Sequence, residues 1–251
     1  YIVMNSPCSK ILKTLSLLII ISGFAGCKKA DEQLVLKTTT ANMTSTQTFK
    51  LVVSPDINGC EFESENELIA SVSSTGLITA HLVGETYILV NNPARGFASK
   101  CNVTVQPEHL LYKDPYLLFG NTKKNIKDYE TRYLYLEEDS SLIYAGENSS
   151  IAAVFYYLEN AAYIESTCLI PATNTGQFED FIAERYYLLD THNEFRTLMT
   201  PDSTTLVGIE SGITLDSDTF YAVYYIAYPT SKTNGVFKVN SNWIKTFDLL
   251  R

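Results

Sequence analysis

Hydrophobic residues alternate with polar ones in short runs through the first part of the chain, and Gly, Ser, Asn and Pro residues separate the runs. The runs comprise Phe49, Leu51 and Val53; Cys60 and Phe62; Ile69 to Val72; Leu77 to Ala80; Thr86, Ile88 and Val90; and Cys101, Val103 and Val105. A period of two is typical of strands that bury one face, and short strands at regular spacing favour an antiparallel β-sandwich. The pattern therefore predicts a sandwich over residues 34–106.

The pattern changes after Val105. Gln106-Pro107-Glu108 predicts a domain boundary, and most of the 17 tyrosines follow it. Segments rich in aromatic and β-branched residues are typical of strands. Such segments cover residues 133–136, 142–144, 152–158, 163–170 and 220–228.

Two segments of this region have helical spacing instead. The stronger helix is predicted over residues 177–189, with Phe178, Phe181, Ile182 and Leu189 on one face. A weaker helix is predicted over residues 122–131. We therefore expect residues 107–251 to form an α+β domain of unknown function, with one or two helices on a mostly antiparallel sheet. The predicted fold class of the whole chain is mainly β.

An apolar stretch precedes both regions. Lys10 and Lys13 provide a positive end, residues 15–21 are almost all apolar, and residues 22–26 are mostly small. This order is typical of an export signal. The stretch is too short to span a membrane comfortably, because a span needs about 20 apolar residues.

Phe24-Ala25-Gly26-Cys27 resembles the lipobox of bacterial lipoproteins, with Phe24 where that motif usually has Leu. The resemblance implies that residues 1–26 are a lipoprotein signal peptide, that Cys27 is lipidated, and that residues 27–33 are a tether. Several acyl chains make membrane anchoring nearly permanent. The alternative is an ordinary secreted protein with an unmodified Cys27.

The tether itself carries a second resemblance. Residues 28–32, Lys-Lys-Ala-Asp-Glu, are similar to the signal that sends lipoproteins of Bacteroidetes-type bacteria to the outer face of the outer membrane. The resemblance implies a lipid-anchored outer-membrane protein that faces the cell exterior. The alternative is a solvated tether that faces the periplasm.

The stretch FESENELIASVSSTGLITAHLVGETYILV resembles the core motif of the group 2 bacterial immunoglobulin-like (BIG2) family. The matching positions are Ser64, Asn66, Ala70, Val72, Gly76, Ile78, Thr79, Ala80, Gly84, Thr86 and residues 102–105. Phe62 stands where the family often has Trp. Membership would imply an immunoglobulin-like sandwich used for adhesion, spacing or display, without catalysis. Residues 107–251 resemble, more vaguely, the C-terminal domains of Bacteroides-type surface lipoproteins assigned to cell adhesion.

Three cysteines remain after Cys8 and Cys27 are set aside. Cys60 and Cys101 each lie an even number of positions from strand residues that are predicted to face inward, so both side chains should face inward too. A Cys60–Cys101 disulfide is therefore one expectation in an oxidising compartment. Two separate, small buried residues are the alternative. The wide spacing of the cysteines, without a nearby pair of histidines, predicts no metal site.

No stretch of the sequence assembles a catalytic constellation. The serine of Gly208-Ile209-Glu210-Ser211-Gly212 falls one place late for a nucleophile elbow, and residues 190–194 are more simply a polar loop after the helix. Residues 216–218 predict an acidic turn rather than a calcium loop. We therefore expect no catalytic, cofactor-binding or metal-binding residue and no enzyme activity.

Charge and aromatic content limit the partners. The formal net charge of −9 argues against nucleic acid, since a nucleic-acid binder needs clustered Lys and Arg. The pairs Tyr156-Tyr157, Tyr186-Tyr187 and Tyr224-Tyr225 are either a binding surface or core. The favoured hypothesis is a lipid-anchored, non-catalytic protein for adhesion, display or assembly, with a protein or glycan partner at the cell surface. The alternative is a glycan-binding accessory of a polysaccharide-uptake system.

Overall fold

The strands of the N-terminal region follow from the alternation of apolar and polar side chains along the sequence. The computed structural model describes residues 33–215 and 217–228. In the strand Gly84–Asn92, Thr86, Ile88 and Val90 are buried, while Glu85 and Tyr87 between them are exposed. Successive side chains of a strand point to opposite faces, so this sequence can bury one face against a second layer.

Nine strands form this region, which we call the sandwich. They are β1 (Val35–Leu36), β2 (Thr40–Thr44), β3 (Thr48–Lys50), β4 (Val53–Ser54), β5 (Glu61–Ser64), β6 (Ala70–Val72), β7 (Leu77–Ala80), β8 (Gly84–Asn92) and β9 (Phe97–Gln106). One sheet has the order β2-β9-β8-β5, a second has the order β3-β7-β6, and β1 pairs with β4. Strand β2 runs parallel to β9, and the other pairs are antiparallel.

The sandwich core draws on all three sheets. Ile78 from β7, Ile88 and Val90 from β8 and Val103 from β9 belong to one buried cluster with Leu36 from β1. Burying apolar area of this kind contributes about 25 cal/mol per Å². The predicted β-sandwich is thus confirmed. The run from Phe49 to Val53 is divided between β3 and β4, and β1 and β2 are two strands that the alternation did not reveal.

Residues after the sandwich form a second, larger sheet, which we call the C-terminal sheet. Its elements are α1 (Lys123–Tyr129), β10 (Leu134–Glu137), β11 (Ser141–Ala145), β12 (Ala153–Glu159), β13 (Ala162–Pro171), α2 (Thr175–Ala183), β14 (Tyr187–His192), β15 (Phe195–Met199), β16 (Thr205–Leu215) and β17 (Asp218–Ala227). The strand order is β10-β11-β12-β13-β17-β16-β15-β14, and every pair is antiparallel.

The C-terminal sheet repeats one pattern twice. Helix α1 precedes the meander β10 to β13, and helix α2 precedes the meander β14 to β17. The two meanders meet where β13 pairs with β17, so the sheet has an approximate two-fold arrangement about its centre. An arginine lies between helix and first strand in each half, Arg132 in one and Arg185 in the other, and both are buried.

Both helices cover the same face of this sheet. Ile126 of α1 and Phe178 and Phe181 of α2 are fully buried, in one cluster with Tyr156 and Tyr225 from the sheet. The opposite face carries a second buried cluster, which includes Ile143, Phe155, Leu169 and Tyr224. The predicted fold class is confirmed: the chain is mainly β, with a sandwich followed by an antiparallel sheet that carries two helices. The described residues from Leu34 to Tyr228 form one compact unit, and the domain boundary near residue 106 stays a prediction.

The second helix is shorter than predicted. It ends at Ala183 rather than at Leu189, and Leu189 lies exposed in strand β14. The apolar spacing continued past Ala183, but the ring of Tyr186 is buried in the sheet core and residues 187–192 pair with β15. Pairing with β15 therefore makes residues 187–192 a strand, although their apolar spacing favours a helix.

The described cysteines are free thiols. Cys101 is buried in β9 and Cys60 is partly buried just before β5. Strand β8 lies between β9 and β5, so at least two strand spacings of about 4.8 Å separate the two residues. Disulfides need Cα atoms within about 7 Å. The Cys60–Cys101 bridge therefore finds no support in this arrangement. The signal peptide, Cys27 and nearly all of the tether lie outside the described residues.

A substitution at Gly76 tests the structure of the hairpin between β6 and β7. Its φ is +77°, and an added Cβ would lie 3.1 Å from Phe62 and 3.2 Å from Ile57. Gly96 is a matched control, because it has φ +59° but no atom within 4 Å of an added Cβ. We expect Gly76→Ala to lower the free energy of unfolding by more than the roughly 1 kcal/mol expected of Gly96→Ala, since only Gly76 adds a steric clash to the backbone strain. Urea unfolding measures both, and equal losses would contradict this account of the hairpin.

Candidate functional site

The sandwich and the C-terminal sheet are joined by hydrogen bonds at the end of α2. The Val83 N–H donates to the Glu184 carbonyl at 2.7 Å. The Glu184 carboxylate accepts the N–H groups of Glu108, at 3.0 Å, and His109, at 3.1 Å. A further bond runs from Asn66 Nδ2 to the Pro201 carbonyl at 2.8 Å. These bonds fix the orientation of the sandwich against the sheet.

A cleft of about 320 Å³ opens at this junction. Gly84 and Glu85 at the start of β8 line one side, and Asp114 and Arg185 line the other. The loop of residues 200–202 borders it. Ligand sites occur preferentially in clefts between packed units, so we take this junction as the candidate functional site.

Arg185 is held tightly behind the cleft. Its guanidinium pairs with the adjacent Glu184 carboxylate, donates to the Phe181 carbonyl at 3.2 Å and lies 3.8 Å from the centre of the Phe181 ring. Because both charged side chains are buried, each compensates the cost of burying the other. These contacts therefore fix the position of the Arg185 guanidinium group at the junction.

Three tyrosine hydroxyls meet in the core behind this arginine. Tyr112 and Tyr225 are hydrogen bonded at 2.9 Å, and Tyr186 donates to Tyr225 at 3.3 Å. Burial raises the pKa of all three hydroxyls well above the usual value. The group therefore stays protonated and supports the wall of the cleft.

Asp114 is a largely buried acid that lines the cleft. Burial raises the pKa of its carboxyl group, against the lowering influence of Arg185 and Arg132. Its Oδ1 atom is buried and has no hydrogen-bond partner among the described residues. An unpaired buried oxygen costs free energy, so Asp114 is held in place by its surroundings.

A second charged network lies on the first half of the sheet. Arg132 contacts Glu130 at 2.6 Å and Glu147 at 2.6 Å, and the Lys113 N–H donates to Glu147 at 2.6 Å. Burial alone would raise the pKa of Glu147, but the hydrogen bonds from Arg132 and Lys113 outweigh it and lower this pKa. Tyr156 donates to Glu130, and burial next to that acid raises the pKa of its hydroxyl.

The predicted polar clusters lie in other places. Residues 190–194 form the end of β14 and the turn into β15, where Asn193 has φ +54°. Residues 208–212 lie inside strand β16, where the Ser211 hydroxyl donates to the Glu194 carbonyl at 3.2 Å. The acidic turn at 216–218 includes Asp216, which lies outside the described residues.

One serine and one histidine do come together on the sandwich. Ser71 Oγ and His81 Nε2 are 2.8 Å apart on exposed strand ends, and no acid orients His81 through a described hydrogen bond. A serine nucleophile is ordinarily assisted by a base that a third group orients, together with an oxyanion site.

The tyrosine pairs serve mainly as core. Tyr156, Tyr157, Tyr186, Tyr224 and Tyr225 are all buried. Exposed tyrosines occur elsewhere, such as Tyr133 just before the edge strand β10, which is 75% exposed, and Tyr135 within it. The interpretation of these pairs as core is therefore favoured over a broad aromatic binding surface. Trp243 lies outside the described residues.

Sequence reasoning missed the charged residues that build the site. Asp114, Arg132 and Arg185 carry no recognisable motif around them. The available signal was the repeat Arg132-Tyr133 and Arg185-Tyr186, each placed just after an amphipathic helix. Buried charged residues are rare, so a repeated arginine at such a position indicates a structural role.

Among the described residues, no group of three or more His, Cys, Asp or Glu side chains is arranged to hold a metal ion. Within the same part of the chain, no helix has both the length and the apolar character required to cross a membrane.

No protein-family model matches the chain. No curated protein matches it either. The crystal structure of human protocadherin-24 EC1-2 is similar over 78% of this chain and 94% of its own length, with 13% sequence identity and a TM-score of 0.24. A TM-score this low carries no argument about the fold or the function of this protein.

Arg132 provides a test of the buried network. We expect Arg132→Met to lower the free energy of unfolding by about 3–5 kcal/mol, because it leaves the Glu130 carboxylate buried without its cation. Lys124→Met is the control, since it breaks an ion pair with Asp128 in which the side chains are 81% and 61% exposed and should cost less than about 1 kcal/mol. Arg132→Lys keeps the charge and should give an intermediate loss in urea unfolding. Equal losses in all three variants would contradict the role of the buried pair.

Asp114 and Asp202 should respond to pH with opposite signs. The folded-state pKa of Asp114 is raised, so stability falls as pH rises above the unfolded pKa near 3.8, and Asp114→Asn removes that loss. For Asp202, burial alone would raise the pKa, but hydrogen bonds from Thr200 and Thr204 lower it, so its stabilisation is present at neutral pH and lost in acid.

We therefore expect Asp114→Asn to be more favourable relative to wild type at pH 7 than at pH 3, and Asp202→Asn to be less favourable at pH 7 than at pH 3. Unfolding free energies measured in urea across this pH range test both variants. The same sign for both would show that local burial and hydrogen bonding do not control these acids.

Proposed function

We propose that this protein is a non-catalytic, envelope-tethered lipoprotein for adhesion, display or assembly. In this proposal the signal peptide is removed, lipid on Cys27 anchors the chain to the outer membrane, and the protein faces the cell exterior. The sandwich is a stalk of the group 2 bacterial immunoglobulin-like type, and the C-terminal sheet is the head that it presents.

The hydrogen-bonded junction is the observation that carries this proposal. The Glu184 carbonyl and carboxylate bind Val83, Glu108 and His109, which lie in the sandwich and in the segment that leaves it. A freely swinging linker would leave the head without a defined direction. A fixed junction gives the head a constant orientation on its stalk, as display requires.

The use of tyrosines in the head also supports display. The rings of Tyr156, Tyr186 and Tyr225 are buried and pack in the core of the head. Such packing stabilises a presented surface and contributes little to ligand contact. An uptake accessory that relies on these paired rings is therefore a weaker proposal, because the exposed tyrosines of the head, such as Tyr133 and Tyr135, lie at its edge strand β10 instead.

Lipidation at Cys27 is tested by metabolic labelling with an alkyne fatty acid in cells of the native host. We expect the wild-type chain to be labelled and to fractionate with membranes, and the Cys27→Ala variant to be unlabelled. Cys8→Ala is the matched control, because Cys8 lies in the predicted signal peptide and its loss should leave labelling unchanged. Label that persists in Cys27→Ala would contradict the anchor.

Display is tested separately on intact cells. Antibody raised against the C-terminal sheet should bind cells that carry the wild-type protein, and added protease should remove that binding without lysis. Signal that appears only after the outer membrane is permeabilised would contradict exposure to the exterior while leaving the lipid anchor intact.

A further inference from the structure

The outer face of the sandwich carries a polar groove of about 490 Å³. Strands β2, β9 and β8 form its floor, and their register aligns six outward side chains in two rows of three. The rows are Thr40, Asn102 and Tyr87, and Asn42, Thr104 and Glu85.

The groove side chains are available to a ligand. Thr40, Asn42, Glu85, Tyr87 and Asn102 are exposed. In the described part of the chain, no hydrogen bond or ion pair occupies the side chains of Thr40, Asn42, Asn102, Thr104 or Glu85. Unpartnered donors and acceptors that stand side by side can bond a polar ligand without first breaking contacts inside the protein.

The floor of the groove is rigid. Thr86 and Val103, which alternate with the groove residues, are buried in the sandwich. The Thr86 hydroxyl accepts the Asn66 N–H at 3.0 Å, so this part of β8 is held against the loop that also contacts Pro201. A site on paired strands keeps its geometry better than one on loops.

The groove lies next to the junction cleft, since Glu85 lines both. The cleft adds the carboxyl groups of Asp114 and Asp202, while its Arg185 is already paired with Glu184. The combined surface offers carboxylates, amides and hydroxyls, and one aromatic ring at Tyr87. Apart from Lys100 beside the Tyr87 ring, the unpaired charge on this surface is negative, which disfavours anionic ligands.

We propose that the groove on β2, β9 and β8 binds a short neutral oligosaccharide, whose hydroxyls bond Glu85, Asn102 and their row neighbours. A sugar chain presents many hydroxyl groups that both donate and accept, which matches rows of amides, hydroxyls and a carboxylate. The flat Tyr87 ring suits contact with a sugar face. This inference deepens the proposed function, since it names a glycan partner and locates its site on the stalk.

The Tyr87 ring has one neighbour to consider. Lys100 Nζ lies 3.9 Å from its centre, so one face of the ring is covered by a cation. The ammonium group is also a hydrogen-bond donor at the end of the groove. Tyr87 as a residue is 38% exposed, so it remains accessible to a ligand beside Lys100.

The full chain, purified in detergent from membranes, is tested against neutral gluco-, manno- and chito-oligosaccharides and against oligogalacturonates as anionic probes. Isothermal titration calorimetry measures the affinity. We expect at least one neutral probe to bind and the anionic probes not to bind. Asn102→Ala should weaken that binding by about tenfold, since it removes the amide in the middle of one row, and Glu85→Gln should weaken it by a similar factor, since it replaces a charged acceptor by a neutral amide.

Glu63→Gln is the matched control, because Glu63 is an exposed acid on β5 of the same sheet, outside the groove. It should bind the neutral probe as tightly as the wild type. Circular dichroism checks that each variant is folded. Absence of binding to every neutral probe, equal weakening by Glu63→Gln and Glu85→Gln, or binding of peptides in place of sugars would overturn the inference. Labelling at Cys27 is read independently, so failure of the groove and failure of the anchor are distinguishable.

Discussion

The arrangement of the molecule depends on Glu184. Its carbonyl accepts the Val83 N–H of the sandwich, and its carboxylate accepts two N–H groups of the segment that leaves the sandwich and pairs with Arg185. Hydrogen bonds to an ionised acceptor that is shielded from water are stronger than neutral ones. One acid at the end of α2 therefore joins the sandwich, the connecting segment and the C-terminal sheet, and the cleft exists because these three parts meet there.

The two halves of the C-terminal sheet share a design but differ in their surroundings. Arg132 in the first half is enclosed by Glu130 and Glu147, whereas Arg185 in the second half pairs with Glu184 and faces the cleft. The sandwich contacts the second half through Glu184. The approximate symmetry of the sheet is therefore broken at the junction, where the sandwich contacts the second half. The cleft lies next to Arg185 for this reason.

Packing and recognition use different residues. The paired tyrosines of the C-terminal sheet lie mostly in its interior, where the hydroxyl groups of Tyr112, Tyr186 and Tyr225 are hydrogen bonded to one another. Mutual hydrogen bonding removes the penalty that each buried hydroxyl would otherwise carry. Polar residues of the sandwich, in contrast, stand free in two cross-strand rows. The surface available for binding therefore lies on the outward face of strands whose inward face holds the core.

Alternation in the sequence determined the sandwich strands, because residues such as Ile88 and Val90 must share a face for any sheet to form around them. The turn at Gly76 also depends on local chemistry, since its positive φ favours glycine. Helical spacing likewise predicted α1 and the first part of α2. These features depend on residues close together in the chain, which is why local pattern was sufficient.

Contacts between distant residues decided the rest. The end of α2 at Ala183 and the strand containing Leu189 depend on pairing with β15, which the apolar spacing does not encode. The network of Arg132, the position of Asp114 and the separation of Cys60 from Cys101 follow from strand order. Sequence fixes which side chains share a face of one strand, but which strands become neighbours is set by the packing of the whole chain.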